Sequence, residues 1–212
     1  MKRIFLVLLV TSLFSELPAQ INYGVEAGLN ISNTKGKDPS VIGGSTGFLT
    51  GIKIGYGFRD FISVESGLYL SQKGMDRIIF PNISGVEKYN YLEFPVNLIY
   101  NLPIPESGKT SVLAGAYFAG LLSANITPDN EGQSSAVNIN EMIPASDHGL
   151  NFGVRQSLNV SPGLLNLEIK YCFGLKSLDE PFNVIKYGEH ITSDGSKKLY
   201  NSVIALTIGY TY

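Results

Sequence analysis

The stretch "YLEFPVNLIYN", Tyr91 to Asn101, constrains the fold more than any other part of this sequence. Leu92, Phe94, Val96, Leu98 and Tyr100 fall on one face, and Tyr91, Glu93, Asn97 and Asn101 on the other. A period of two is that of a β-strand with one apolar and one polar face. Two kinds of fold use such a strand. In a soluble sandwich or barrel the apolar face covers a core and the polar face meets water. In a membrane barrel the apolar face meets lipid and the polar face lines the interior.

The N-terminus bears on that choice. "MKRIFLVLLVTSLFSELPAQ" carries Lys2 and Arg3, an apolar run from Ile4 to Phe14, and then Ala19. That order is a secretory signal peptide over 1–19, with cleavage expected after Ala19 and a mature domain over 20–212. The run is too short for a helical anchor, and no Cys follows it to take a lipid. Charged residues are 16% of the chain, against about 25% in soluble domains. Net charge is −2, so no nucleic-acid partner is expected, and the single Cys172 excludes an internal disulfide framework. An exported chain with 23 Gly, 12 Tyr and 11 Phe and no long apolar helix leaves a periplasmic β-protein or an outer-membrane barrel.

Strand signals recur over 22–32, 46–57, 61–73, 88–102, 110–122, 148–159, 164–176 and 199–212. Most of these segments are longer than the roughly 5–6 residues of soluble strands and suit the about 9–11 that a tilted strand needs to cross hydrocarbon. Their connections alternate. "FRD" at 58–60, "PIPESGK" at 103–109 and "VSPG" at 160–163 are short and rich in turn formers. Long polar loops are expected over 33–45, 74–87, 123–147 and 177–198. Short turns at one end and long loops at the other characterise transmembrane barrels. The expected fold is therefore all-β: an eight-stranded antiparallel up-and-down transmembrane β-barrel, preceded by a signal peptide.

Alternation then sorts the side chains. Leu92, Phe94, Val96 and Leu98 are expected to face lipid, as are Ile204, Leu206, Ile208, Tyr210 and Tyr212. Glu26, Lys53, Glu65, Glu93, Arg155, Glu168 and Lys170 are expected inside, where they can pair and close the lumen. Tyr23, Tyr56, Tyr100, Tyr171, Tyr200, Tyr210 and Tyr212 lie near strand ends, the place of interfacial girdles. The fifth segment, "SVLAGAYFAGLL", has small residues on both faces, and a buried helix competes there with the strand.

Several stretches together resemble a known family: "YGVEAGLNIS", "VESGLYLSQKG", "YLEFPVNLIYN", "LAGAYFAGLLSA" and the closing "ALTIGYTY". This succession is similar to the PorT-like outer-membrane β-barrel proteins common in Bacteroidota, with "SQKG" followed by "YLEFP" its most specific part. The resemblance implies an eight-stranded outer-membrane barrel, and its founding member is linked to protein secretion. The aromatic C-terminus resembles the signal read by the barrel-assembly machinery, although Tyr212 stands where many such barrels end in Phe.

Signals for chemistry are sparse. His148 follows Ser146 and Asp147, and His190 lies in "YGEHITSDG". Neighbours in sequence do not converge as a Ser-His-Asp triad must. Asp38, Asp76, Asp129, Glu131, Asp147, Asp179, Glu180, Glu189 and Asp194 are scattered without EF-hand spacing and are read as solvated loop surface. No catalytic, cofactor-binding or metal residue is assigned, and no cofactor. The expected role is a non-enzymatic structural or interaction protein, accessory to envelope assembly or secretion. It would be monomeric, in contact with outer-membrane lipid, and would meet a protein partner at its extracellular loops. The alternatives are a small-solute pore and an outer-leaflet lipid-modifying enzyme.

Overall fold

The computed structural model describes residues 20–36, 38–80, 83–104, 108–129, 135–186 and 189–212. The expected signal peptide, 1–19, lies outside them. The strands are β1 (Gln20–Lys35), β2 (Val41–Arg59), β3 (Ile62–Phe80), β4 (Ile83–Asn101), β5 (Gly108–Pro128), β6 (Val137–Asn138), β7 (Ser146–Val160), β8 (Gly163–Ser177), β9 (Phe182–Lys186), β10 (Glu189–Ser193) and β11 (Tyr200–Thr211). Eight of them close a barrel in the order β1, β2, β3, β4, β5, β7, β8, β11, with every neighbouring pair antiparallel and β11 returning to β1. Tyr23 and Tyr212 seal the seam through two backbone hydrogen bonds of 3.1 and 2.8 Å. Closure leaves no bare edge along the barrel wall.

The eight expected segments all fall on these eight strands. β5 settles the competition in favour of the strand: Val112, Ala114, Phe118 and Leu122 point out, and Ser111, Leu113, Tyr117 and Ala119 point in. Of its glycines, Gly115 has a packing reason: a Cβ there would lie 2.5 Å from Asn97 Oδ1. Across the β5–β7 pairing, a Cβ on Gly149 would lie 2.7 Å from the Tyr117 ring.

The expected long loops need correction. β3 runs to Phe80 and β4 starts at Ile83, so most of 74–87 is strand. β1 and β2 leave only a short connection in place of 33–45. Of 123–147, β5 takes the first part to Pro128, β6 pairs with its end, and a 3-10 turn covers Asn140–Met142. Within 177–198, β9 and β10 form a separate hairpin. The physical reason is that hydropathy alternation reports a boundary between lipid and interior. Beyond that boundary the two faces no longer alternate regularly in polarity, and the ladder continues without the signal.

The molecule is inside out relative to a soluble domain. Leu92, Phe94, Val96 and Leu98 are 38–49% exposed, whereas Glu93 and Asn97 are each 3% exposed. On β4 this apolar band lies between Asn90 and Tyr100, close to the length a tilted strand needs to cross hydrocarbon. At the turn end it is bordered by aromatic pairs, Tyr23–Tyr212, Tyr56–Phe58 and Phe61–Tyr100. At the loop end polar groups take over the outer wall. Gln72 bonds Asn90 at 2.9 Å, and Asn90 bonds Ser123 at 2.8 Å.

Candidate functional site

All seven charges expected inside are buried in the lumen. Near mid-barrel the Arg155 guanidinium lies at the centre of a lattice. Its two terminal nitrogens donate to Glu65 at 2.9 and 2.6 Å, and Nε donates to Glu168 at 2.8 Å. Glu168 also takes Lys170 at 3.0 Å, and Lys53 meets Glu26 at 2.9 Å and Glu65 at 3.8 Å. Carboxylate oxygens of Glu26, Glu65 and Glu168 come within 4.8 Å of one another, a spacing metal ligands adopt. Lys53, Arg155 and Lys170 already neutralise them one for one. The cluster is therefore an ion-pair core.

A second cluster lies nearer the loop end, and its centre was missed in the sequence. Lys73, 2% exposed, pairs with Glu93 at 3.0 Å and Asp147 at 3.2 Å, with the Tyr117 and Tyr91 ring centroids 4.2 and 5.3 Å from its ammonium. Asp147 also accepts from Tyr117 at 3.1 Å and Asn201 at 2.9 Å. The reading of Asp147 as solvated loop is thus overturned. Parity would have found both residues: Lys73 keeps the phase of Glu65, and Asp147 that of Arg155, one further stretch along each strand.

Above this cluster the lumen turns apolar. Met75, Tyr89, Ala124, Ile139, Leu178, Leu199 and Val203 pack together, so segments on both sides of the rim fold over the mouth. Two backbone bonds hold them, Ile139 to Ala124 at 2.9 Å and Leu178 to Leu199 at 2.7 Å. Outside this cap the Asp38 carboxylate is buried, again contrary to its reading as loop surface. It accepts from Ser40 and meets Lys197 at 3.1 Å and Arg77 at 3.4 Å. Burial pushes its pKa up, but the two Ser40 hydrogen bonds and the Lys197 charge outweigh that and hold it below the ordinary carboxylate range. Glu87 takes Arg77 at 3.1 Å and the Tyr89 hydroxyl.

At the turn end the lumen is hollow. A cavity of about 600 Å³ opens between the turns, walled by Asn22, Ser63, Asn101, Ser157 and Asn166 and floored by Glu65 and Arg155. Much of the wall is bonded to itself, as in the Ser157–Asn166 bond of 2.6 Å and the Asn166–Thr211 bond of 2.7 Å.

Ser146, Asp147 and His148 do not converge. Asp147 points into the lumen, while His148 is exposed on the outer wall with its ring 6.5 Å from that of Phe118. His190 falls on β10, far along the chain from both.

Residues 14–180 match the family model described as outer membrane protein beta-barrel domain. The chain belongs to this family. Among solved structures it is similar to a major outer membrane protein from Thermus thermophilus, at 13% identity and TM-score 0.56, covering 91% of this chain and 99% of that one. OprG from Pseudomonas aeruginosa matches at 11% identity and TM-score 0.55, covering 90% and 95%. Ail, the attachment invasion locus protein of Yersinia pestis, matches at 18% identity and TM-score 0.45, covering 90% and 98%. At such identities the likeness concerns the fold. No curated protein sequence matches. Family and fold together place the protein in the outer membrane.

Proposed function

We propose that this protein is a closed, non-enzymatic barrel that works through its loop end as an interaction protein, an accessory to envelope assembly or secretion. The observation that carries this reading is the filled outer half of the lumen. An eight-stranded barrel encloses only enough room for side chains, and here Lys73, Tyr91, Tyr117 and the apolar cap occupy it. In this reading the short turns and both barrel termini face the periplasm, the barrel-assembly machinery inserts the chain as a monomer, and a protein partner binds the ordered extensions above the membrane. The resemblance to PorT-like proteins supports the link to secretion. Planar-bilayer recording of the purified barrel tests closure. No unitary conductance is expected, and steady, reproducible single-channel steps would move the function to solute transport.

A further inference from the structure

Cations inside this barrel are matched. Lys53, Lys73, Arg155 and Lys170 each have a carboxylate partner within 4 Å, and at the loop end Arg77 and Lys197 share Asp38. Lys35 is different. It is the last residue of β1, it is exposed, and it makes no ion pair among the described residues. Its ammonium instead lies on the outer wall, 5.2 Å from the Tyr171 ring centroid and 5.4 Å from that of Phe173.

Register shows what surrounds it. Lys35 pairs with Tyr200, Asn33 with Ser202, and Ser202 with Phe173. The outer face here therefore carries Lys35, Asn33 and Tyr171 next to Ser202, which is 8% exposed. The Tyr171 and Ser202 hydroxyls are 2.9 Å apart. Bonded to each other they use one proton, and the second hydroxyl hydrogen is free to donate. Directly below stand Ile31, Ile204, Leu206 and Ile169, all exposed and apolar. On β1 and β11 the group thus sits at the upper edge of the apolar band, while on β8 Phe173 and Leu175 continue that band beside it.

We propose that Lys35, Tyr171 and Ser202 form a binding site for the phosphate of an anionic lipid in the leaflet at the loop end. An ammonium held beside the Tyr171 hydroxyl and two aromatic rings at a membrane surface gains from a counter-charge, and none of the chain's described carboxylates supplies it. Lysine serves as a point charge for phosphate, and a hydroxyl beside it offers a second donor to a tetrahedral oxyanion. The acyl chains of the same lipid would lie along the apolar wall below.

The test uses the folded barrel in lipid nanodiscs made from equal parts phosphatidylglycerol and phosphatidylcholine, read by native mass spectrometry of retained lipid. The wild type should retain phosphatidylglycerol in preference. Lys35→Gln should weaken that preference by about fivefold, the effect of one cation at an anionic surface, and Tyr171→Phe by less. Arg59→Gln removes the same charge at the turn end and should change nothing. Heat-modifiable gel migration confirms that each variant is folded. Equal retention by wild type and Lys35→Gln would overturn the site. Displacement of the lipid by millimolar inorganic phosphate would overturn the lipid assignment and make this a site for the free anion, whereas insensitivity to it supports the lipid.

Discussion

The two halves of this lumen are built from the same alternating strands, yet they solve different problems. Toward the loops the interior holds large side chains: Tyr91 and Tyr117 beside one lysine with two acids, and Tyr89 and Met75 in the apolar cap above it. Toward the turns it holds Ser, Asn, Thr and Gly, and a cavity of about 600 Å³ follows. Both halves bury charge, and the turn-end lattice borders the cavity that opens between the turns. The difference teaches that closure of a small barrel is a matter of side-chain volume more than of strand number. Eight strands set the radius; what stands inside decides whether anything passes.

The largest effect that separates the halves is the loss of a cation from each. Lys73→Ala leaves Glu93 and Asp147 buried with no other ion-pair partner among the described residues, and should cost about 3–5 kcal/mol, the range for breaking a buried pair. Arg155→Ala should cost less. Glu168 keeps Lys170, Glu65 keeps Lys53 nearby, and water from the cavity reaches the gap. Urea unfolding in lipid vesicles measures both; equal losses would mean that the halves are equally dry.

A smaller effect checks that both halves share one lipid-facing wall. Val96→Arg sets a charge against hydrocarbon and should destabilise by about 2–4 kcal/mol near the midplane. Asn97→Arg, one residue on, places the charge inside near Glu65 and Glu93 and should cost clearly less. Denaturant midpoints of the two variants decide it, and a reversed order would shift the register of β4 by one residue.

The mildest probe sharpens the comparison without disturbing either half. Cys172 is 5% exposed beneath the cap, whereas Ser63 lines the open cavity. A polar maleimide should label Ser63→Cys in the folded barrel more than about tenfold faster than the native Cys172, since thiol reaction follows access. Comparable rates would show that the outer half opens on the time scale of labelling.

Much of this was legible in the chain itself. The alternation in Tyr91–Asn101 assigned Leu92, Phe94, Val96 and Leu98 to lipid and Glu93 and Asn97 to the interior, because side-chain direction in a strand is a local property of period two. The same phase placed Glu26, Lys53, Glu65, Arg155, Glu168 and Lys170 inside. It failed where the surroundings ceased to differ across the strand. Asp147 and 74–87 looked like loop, because beyond the membrane band the two faces of a strand no longer alternate regularly in polarity. Asp38 does lie in a connection, but its carboxylate is buried there against Arg77 and Lys197.

What only the tertiary structure decided is which charge meets which. Arg155 and Glu65 are 90 residues apart in the chain, and Lys73 and Asp147 are 74 apart. Such pairs form across the lumen, so they depend on the closure of β1 against β11 and on the stagger of all eight strands together. The sequence by itself determined a wall and an interior. The volume of the tyrosines, the cap over the mouth and the hollow at the turns follow from how eight tilted strands bring distant side chains to one axis, and no local pattern encodes that.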